Sequence, residues 1–257
     1  MKHHAKPAYL IPLEPRDIPG LVSFWNFAEG GTRFVACQGE PYCLESQSGA
    51  LDLVEDAEAY GGQALLLREG QWLSIARRDC PALDIHGRDG QLSLVAWIRR
   101  EPTAFPQCEF IAGQWNETNR GRQYGLFLNI SVWGERDRVF GHLSNIGGPT
   151  PGYKYCMDGA MGATPVPHGQ WVVAGMGYDG QTGFAWLDGH LDAVPGLNPY
   201  SLAGGLHDGG PTGSDFTVGA VHRSGEMGNF FHGRLAALAV FRRALTPAEM
   251  YALARMR

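Results

Sequence analysis

The chain has 257 residues, and its 21 Lys+Arg against 26 Asp+Glu give a net charge of −5, so it carries no overall basic footprint for nucleic acid or an anionic membrane surface. Hydrophobic residues make up 44% and charged residues 18%, which excludes wholesale disorder. Glycine is in excess at 36 residues, with 16 prolines beside it, so the chain is punctuated by turns and is not a helical bundle.

Residues 1–19 read as an N-terminal arm. Met1-Lys2-His3-His4-Ala5-Lys6-Pro7 is basic but leads into no apolar h-region, and Pro7, Pro12 and Pro15 interrupt the arm along its length. No apolar run approaches the ~20 residues of a membrane-spanning helix. These features predict a soluble cytoplasmic protein, with residues 20–257 as one domain. The five cysteines, Cys37, Cys43, Cys80, Cys108 and Cys156, are odd in number and form no C-x-x-C pair. They read as reduced, mostly buried thiols; a Cys37–Cys43 bridge is an option only in a secreted protein.

From Gly61 onward the periodicity is that of strands. Gln63–Leu67 and Gln71–Ile75, bounded by Gly61-Gly62 and Glu69-Gly70, read as a hairpin. Leu92–Ile98 is apolar almost throughout, as in a strand covered on both faces. Further strand runs lie at 110–113, 124–128, 139–143, 171–174, 182–187, 216–219 and 233–241. No helical pattern separates them, which predicts an all-β sandwich. Two insertions, Ser144 to Gln170 and Pro195 to Asp215, break the rhythm and are the natural places for function.

Gly175-Met176-Gly177-Tyr178-Asp179-Gly180 matches a dinucleotide-binding fingerprint, but strand residues come after it where that motif needs a helix. Tyr178-Asp179-Gly180-Gln181 instead reads as a hairpin turn. Near the C-terminus, Thr246-Pro247-Ala248-Glu249 is a capping box with proline at the first helical position. It predicts one helix to about Met256, with Leu245 and Met250 stapled across its start.

The ordered set Gly61-Gly62-Gln63-Ala64-Leu65, Leu92–Ile98, His168-Gly169-Gln170-Trp171, Tyr178-Asp179-Gly180 with Leu187-Asp188-Gly189, and Phe231-His232-Gly233-Arg234-Leu235 resembles the laminin G-like domains of the concanavalin A-like lectin/glucanase superfamily. The resemblance covers roughly residues 20 to 255. It implies a jelly-roll sandwich of two curved antiparallel sheets with one short C-terminal helix, and a concave face that binds glycans. It also implies a structural calcium in many relatives, held by an acidic residue where this chain has Ala236, which offers no oxygen. No cofactor is therefore expected there, although Asp208 and Asp215 remain a different oxygen-rich loop. The E-x-D-x-x-E strand of the superfamily's retaining glucanases is absent.

Glycan lyases on this fold neutralise a uronate carboxylate and remove a proton with Tyr or His. Candidate catalytic residues are thus His142, Tyr153, Lys154 and Tyr155. His142 shares a strand face with Arg138, Phe140 and Ser144. Candidate substrate-binding residues are Arg122 and Tyr124, placed on one face, with Asn129, Arg138, Trp115 and Asp158; Trp133 is a second tryptophan placed to stack on sugar. Three readings are open: a carbohydrate-recognising protein using its concave face, a glycan lyase or hydrolase at the same place, and a protein-interaction module without sugar chemistry. The expected partner is a carbohydrate, not nucleic acid or membrane.

Overall fold

The computed structural model describes residues 14–104, 107–131 and 136–256. The first strands are β1 (Leu21–Trp25), β2 (Arg33–Val35), β3 (Gln38–Gly39), β4 (Cys43–Ser46), β5 (Leu53–Glu55), β6 (Gln63–Leu67) and β7 (Leu73–Ile75). The central ones are β8 (Leu92–Arg100), β9 (Glu109–Gln114), β10 (Tyr124–Leu128), β11 (Arg138–Leu143), β12 (Gly159–Pro165), β13 (Trp171–Tyr178) and β14 (Thr182–Leu187). Then come β15 (His190–Leu191), β16 (Tyr200–Ser201), β17 (Phe216–Val218), β18 (Val221–Arg223), β19 (Glu226–Gly228), β20 (Gly233–Phe241) and helix α1 (Pro247–Ala254).

Two antiparallel sheets form a sandwich, as the strand pattern predicts. The larger runs β15-β14-β13-β8-β20-β1-β3, with β6 also on β20, β5 on β6 and β16 on β14. The smaller runs β12-β11-β10-β9-β17-β7-β4-β2, and β18–β19 form a separate hairpin. Side chains alternate across each sheet. On β20, Leu235, Leu238 and Val240 point between the sheets, whereas Ala237, Ala239 and Phe241 join Trp97, Met250 and Leu253 on the outer face, beneath α1. Both faces of β8 and β20 are therefore dry, which is why these strands read as unbroken apolar runs.

The 63–75 segment is not a hairpin. β6 pairs β20 in the larger sheet, while β7 pairs β17 and β4 in the smaller one. The turn at Glu69-Gly70 carries the chain between sheets, and local turn chemistry alone does not distinguish the two outcomes. The 144–170 insertion is likewise part strand: β12 pairs with β11 and closes the sheet edge. The Asp179-Gly180 turn does join β13 to β14, with Asp179 Oδ1 accepting from the N–H groups of Gln181 at 2.9 Å and Thr182 at 2.7 Å.

The helix starts where the capping box puts it. Thr246 Oγ1 accepts from Glu249 N–H at 3.3 Å, and Glu249 Oε2 accepts from Thr246 N–H at 2.8 Å. Leu245 and Met250 are both buried. Of the N-terminal arm, residues 1–13 lie outside the described residues; Ile18 is buried in the cluster under the larger sheet. All five cysteines are free, with Cys80 and Cys156 buried and Cys37 exposed. Among the described residues no helix is long and apolar enough to cross a membrane.

Candidate functional site

The outer face of the smaller sheet carries a second aromatic layer: Phe110, Phe127 and Phe140 with Trp115 and Met161. His142 lies in it. Its ring centroid stands 4.2 Å from Phe140, 4.9 Å from Trp115 and 5.1 Å from Phe127. Gly125, directly opposite His142 in the β10–β11 pairing, makes the room; a Cβ there would come within 2.9 Å of the Phe110 and Phe127 rings.

Above this layer is a cleft of about 520 Å³. His142, Trp115 and Phe127 lie at its base. Asn129 and Arg136 flank it from the ends of β10 and β11, Tyr155, Cys156 and Met157 from the 144–158 loop, and Arg223 and Asn229 from the β18–β19 hairpin. Glu117 is the one carboxylate among the described lining residues.

The sequence candidates separate into groups. His142, Asn129, Tyr155 and Trp115 do line the cleft. Trp115 is 1% exposed, with Arg122 6.0 Å over its ring and its Nε1 donating to Glu117 Oε1 at 3.3 Å. It is a foundation rather than a free stacking surface. Tyr153 and Tyr155 are 51% and 54% exposed at the loop tip, with the Lys154 ammonium 5.0 Å over the Tyr155 ring.

Asp158 is a tie for the loop. Its Oδ2 accepts from Thr150 Oγ1 at 2.5 Å and its Oδ1 from the Tyr200 hydroxyl at 2.8 Å. Its carbonyl oxygen lies 3.0 Å from His142 Nδ1. With Nδ1–H donating to that carbonyl, Nε2 keeps its lone pair. Burial pushes the His142 pKa down to about 3, so the ring is neutral at physiological pH.

Six candidates are not among the residues lining the cleft: Tyr153 and Lys154 at the loop tip, Asp158 in the loop's tie, and Tyr124, Arg122 and Arg138. Tyr124 faces the sandwich interior, fully buried, and its hydroxyl donates to Leu83 O at 2.6 Å. Arg122 precedes the regular part of β10 and lies on the other side, 6.0 Å over the Trp115 ring, so the two do not share a face. Arg138 sits at the far end of β11, where its Nη1 donates to Gly162 O at 3.5 Å. Trp133 lies outside the described residues. Arg136, Arg223, Asn229 and Glu117 escape a sequence reading because strands distant in the chain bring them together; only the tight Ser224-Gly225 turn marks that hairpin.

Ala236 falls at the β-bulge between Leu235 and Ala237 and is buried among apolar side chains. This position does not fit the calcium site that the resemblance implies. Asp208 and Asp215 serve an arginine instead. Arg77 pairs bidentately with Asp84, both contacts 2.8 Å, and with Asp208 at 3.3 Å, while its backbone N–H donates to Asp215 Oδ1 at 2.9 Å.

Comparison with protein-family models and with curated proteins finds no match. Solved structures do match. Domain 4 of an extracellular arabinanase from Geobacillus stearothermophilus, in complex with arabinotriose, aligns with a TM-score of 0.62 at 14% identity over 91% of this chain and 98% of that one. The Trypanosoma rangeli sialidase aligns at 0.58 and 14% identity over 92% of this chain, which spans 33% of the sialidase. The binding domain of Paraclostridial Mosquitocidal Protein 1 aligns at 0.56 and 10% identity, over 94% of this chain and 52% of that one. At these identities the likeness defines a class of fold, a two-sheet antiparallel β-sandwich.

Proposed function

We propose that this protein binds an oligo- or polysaccharide in the cleft over the outer face of the smaller sheet, as a laminin G-like member of the lectin/glucanase-type sandwiches. The observation that carries the reading is the cleft itself. A pocket of about 520 Å³ with an aromatic base and a rim of amides and guanidiniums suits a sugar, which presents apolar C–H faces and hydroxyl edges. Tyr155 supplies an exposed ring for stacking. Asn129 and Asn229 offer donors and acceptors, and His142 Nε2 is a neutral acceptor for a hydroxyl. The arabinotriose held by the similarly folded arabinanase domain supports this choice of ligand class.

Recognition without chemistry fits better than catalysis. Glycoside hydrolysis by two carboxylates needs a pair separated by about 5–9.5 Å, and Glu117 is alone among the described lining residues. A lyase reading retains support from Tyr155 and His142, which share the cleft, but an imidazole with a pKa of about 3 is a weak base.

The test is calorimetric titration with a panel of neutral and acidic oligosaccharides, with mass spectrometry of each mixture after incubation. Saturable binding with unchanged sugar is the expected result. Fragments summing to the substrate mass, one unsaturated, would establish elimination; a gain of one water would establish hydrolysis. A folded protein that binds none of the panel would sink the proposal.

A further inference from the structure

The cleft differs in charge from the molecule around it. The whole chain carries −5. At the cleft, Arg136 and Arg223 stand on the rim and the Arg122 guanidinium lies 6.0 Å over the ring of Trp115, opposed by the carboxylate of Glu117.

Arg122 is the most informative of the three. Its side chain is 6% exposed, yet its nearest carboxylate oxygen among the described residues, Glu117 Oε2, is 3.9 Å away. Nη1 donates to the Gly147 carbonyl at 3.3 Å, and Nε is buried with no hydrogen-bond partner among the described residues. A buried guanidinium with so little counter-charge is costly, and an anion arriving in the cleft that Trp115 lines offsets that cost. Arg223 is set in place beforehand. Its Nη1 donates to Asn229 Oδ1 at 2.6 Å, and its stem runs over Gly228, where a Cβ would come 2.8 Å from Cδ. No carboxylate among the described residues lies within 4.0 Å of its guanidinium, so the rest of the fork is open to a ligand.

Resting on the carbohydrate reading of this cleft, we infer that its ligand is an acidic sugar, whose carboxylate is taken by Arg223 and Arg136 while the buried Arg122 charge beside Trp115 adds to its attraction. A planar guanidinium fork matches a carboxylate with two parallel N–H···O bonds, and the geometry discriminates against a neutral sugar of the same size. Uronates and sialates share this chemistry.

The experiment is calorimetric titration with two matched pairs, trigalacturonate beside galactotriose and 3′-sialyllactose beside the methyl ester of its sialate carboxyl, at low and at physiological salt. The acidic member of one pair is expected to bind at least about tenfold more tightly, with the advantage shrinking as salt rises; which pair responds identifies uronate or sialate. Arg223→Gln and Arg136→Gln, each with an unchanged melting temperature, are expected to lose about tenfold or more in affinity for the acidic sugar and to lose less for the neutral one, so that the acidic preference itself shrinks. Equal affinity within each pair, or full acidic-sugar binding by both variants, overturns the inference and leaves carbohydrate binding standing. No binding of any of the four by folded protein overturns both.

Discussion

Arg100 on β8 and Glu109 on β9 form a bidentate ion pair between the two sheets, with Nε to Oε2 and Nη2 to Oε1 both at 3.0 Å. Both residues are within 1% of fully buried. Arg100 also donates to Val166 O at 3.1 Å and pairs with Asp137 at 2.7 Å, so its charge and its donors are well used. Removing one partner strands the other charge in the core. Arg100→Met should therefore cost about 3–5 kcal/mol, and Glu109→Gln less, because an amide still accepts one of the bonds. Pairing Arg100→Met with Glu109→Leu should recover much of the loss. Urea unfolding of the two single variants and the double variant checks this; a double variant as unstable as the sum of the singles would refute it.

His142 gives the protein an acid-sensitive component. Burial lowers its folded pKa to about 3, whereas the unfolded chain titrates near the ordinary 6.5. Between those values the unfolded state binds the proton and the folded state does not, so stability falls as pH drops from about 6.5 toward 3. The slope is about 1.4 kcal/mol per pH unit for one such group. His168 and His207, also lowered by burial, add in the same direction. The informative comparison is thus His142→Phe against the native protein: the variant's unfolding free energy should vary with pH less steeply by about one proton's worth. Parallel curves for the two proteins would remove His142 from this account.

The parts of the fold readable from sequence are those written in local chemistry. The Thr246–Glu249 box, the Asp179-Gly180 turn and the continuous apolar runs of β8 and β20 each determine their own backbone within a few residues. The 63–75 segment reads wrongly because a Gly turn between two apolar runs fits a hairpin and a sheet-to-sheet crossing equally; the choice is made by β20 and β17, far along the chain. The site shows the same division. His142 is legible because alternation on its own strand turns it outward with Phe140. Tyr124 is not, because the chain leaves strand geometry before it, so counting back by two from Tyr124 to Arg122 crosses the sheet. Arg223 and Arg136 carry no local mark of function; the pairing of distant strands makes them neighbours.

The cap on α1 is a compact test of the C-terminal packing. Arg243 holds the Glu249 carboxylate at 2.9 and 2.5 Å, and with the Thr246 bonds brings its pKa down to about 2. A lowered carboxylate contributes its stability above the unfolded value of about 4.5 and loses it as pH falls toward 2. Thr246→Ala should cost about 1 kcal/mol. Glu249→Gln should cost a similar amount at neutral pH and next to nothing near pH 2, where the native carboxyl is itself becoming protonated. Thermal melts of both variants at the two pH values separate these contributions.

Tyr155 and Trp115 border the same cleft but should respond to mutation in opposite ways. Tyr155 is 54% exposed and sits on a loop whose hold on the sheet comes from Asp158, Thr150 and Tyr200, not from its own ring. Tyr155→Ala should leave the melting temperature within error of the native value while weakening sugar binding by about 1 kcal/mol, or roughly fivefold, the usual worth of one aromatic stacking contact. Trp115 is 1% exposed and wedged among Phe127, His142 and the Arg122 guanidinium. Trp115→Ala removes that support and should cost about 3–5 kcal/mol of stability. Its effect on binding should then come from unfolding of the cleft base, being partly rescued by Trp115→Phe. Were Tyr155→Ala to destabilise the fold and Trp115→Ala to spare it while abolishing binding, rim and foundation would have to be exchanged, and the sugar would have to reach an indole that is 1% exposed.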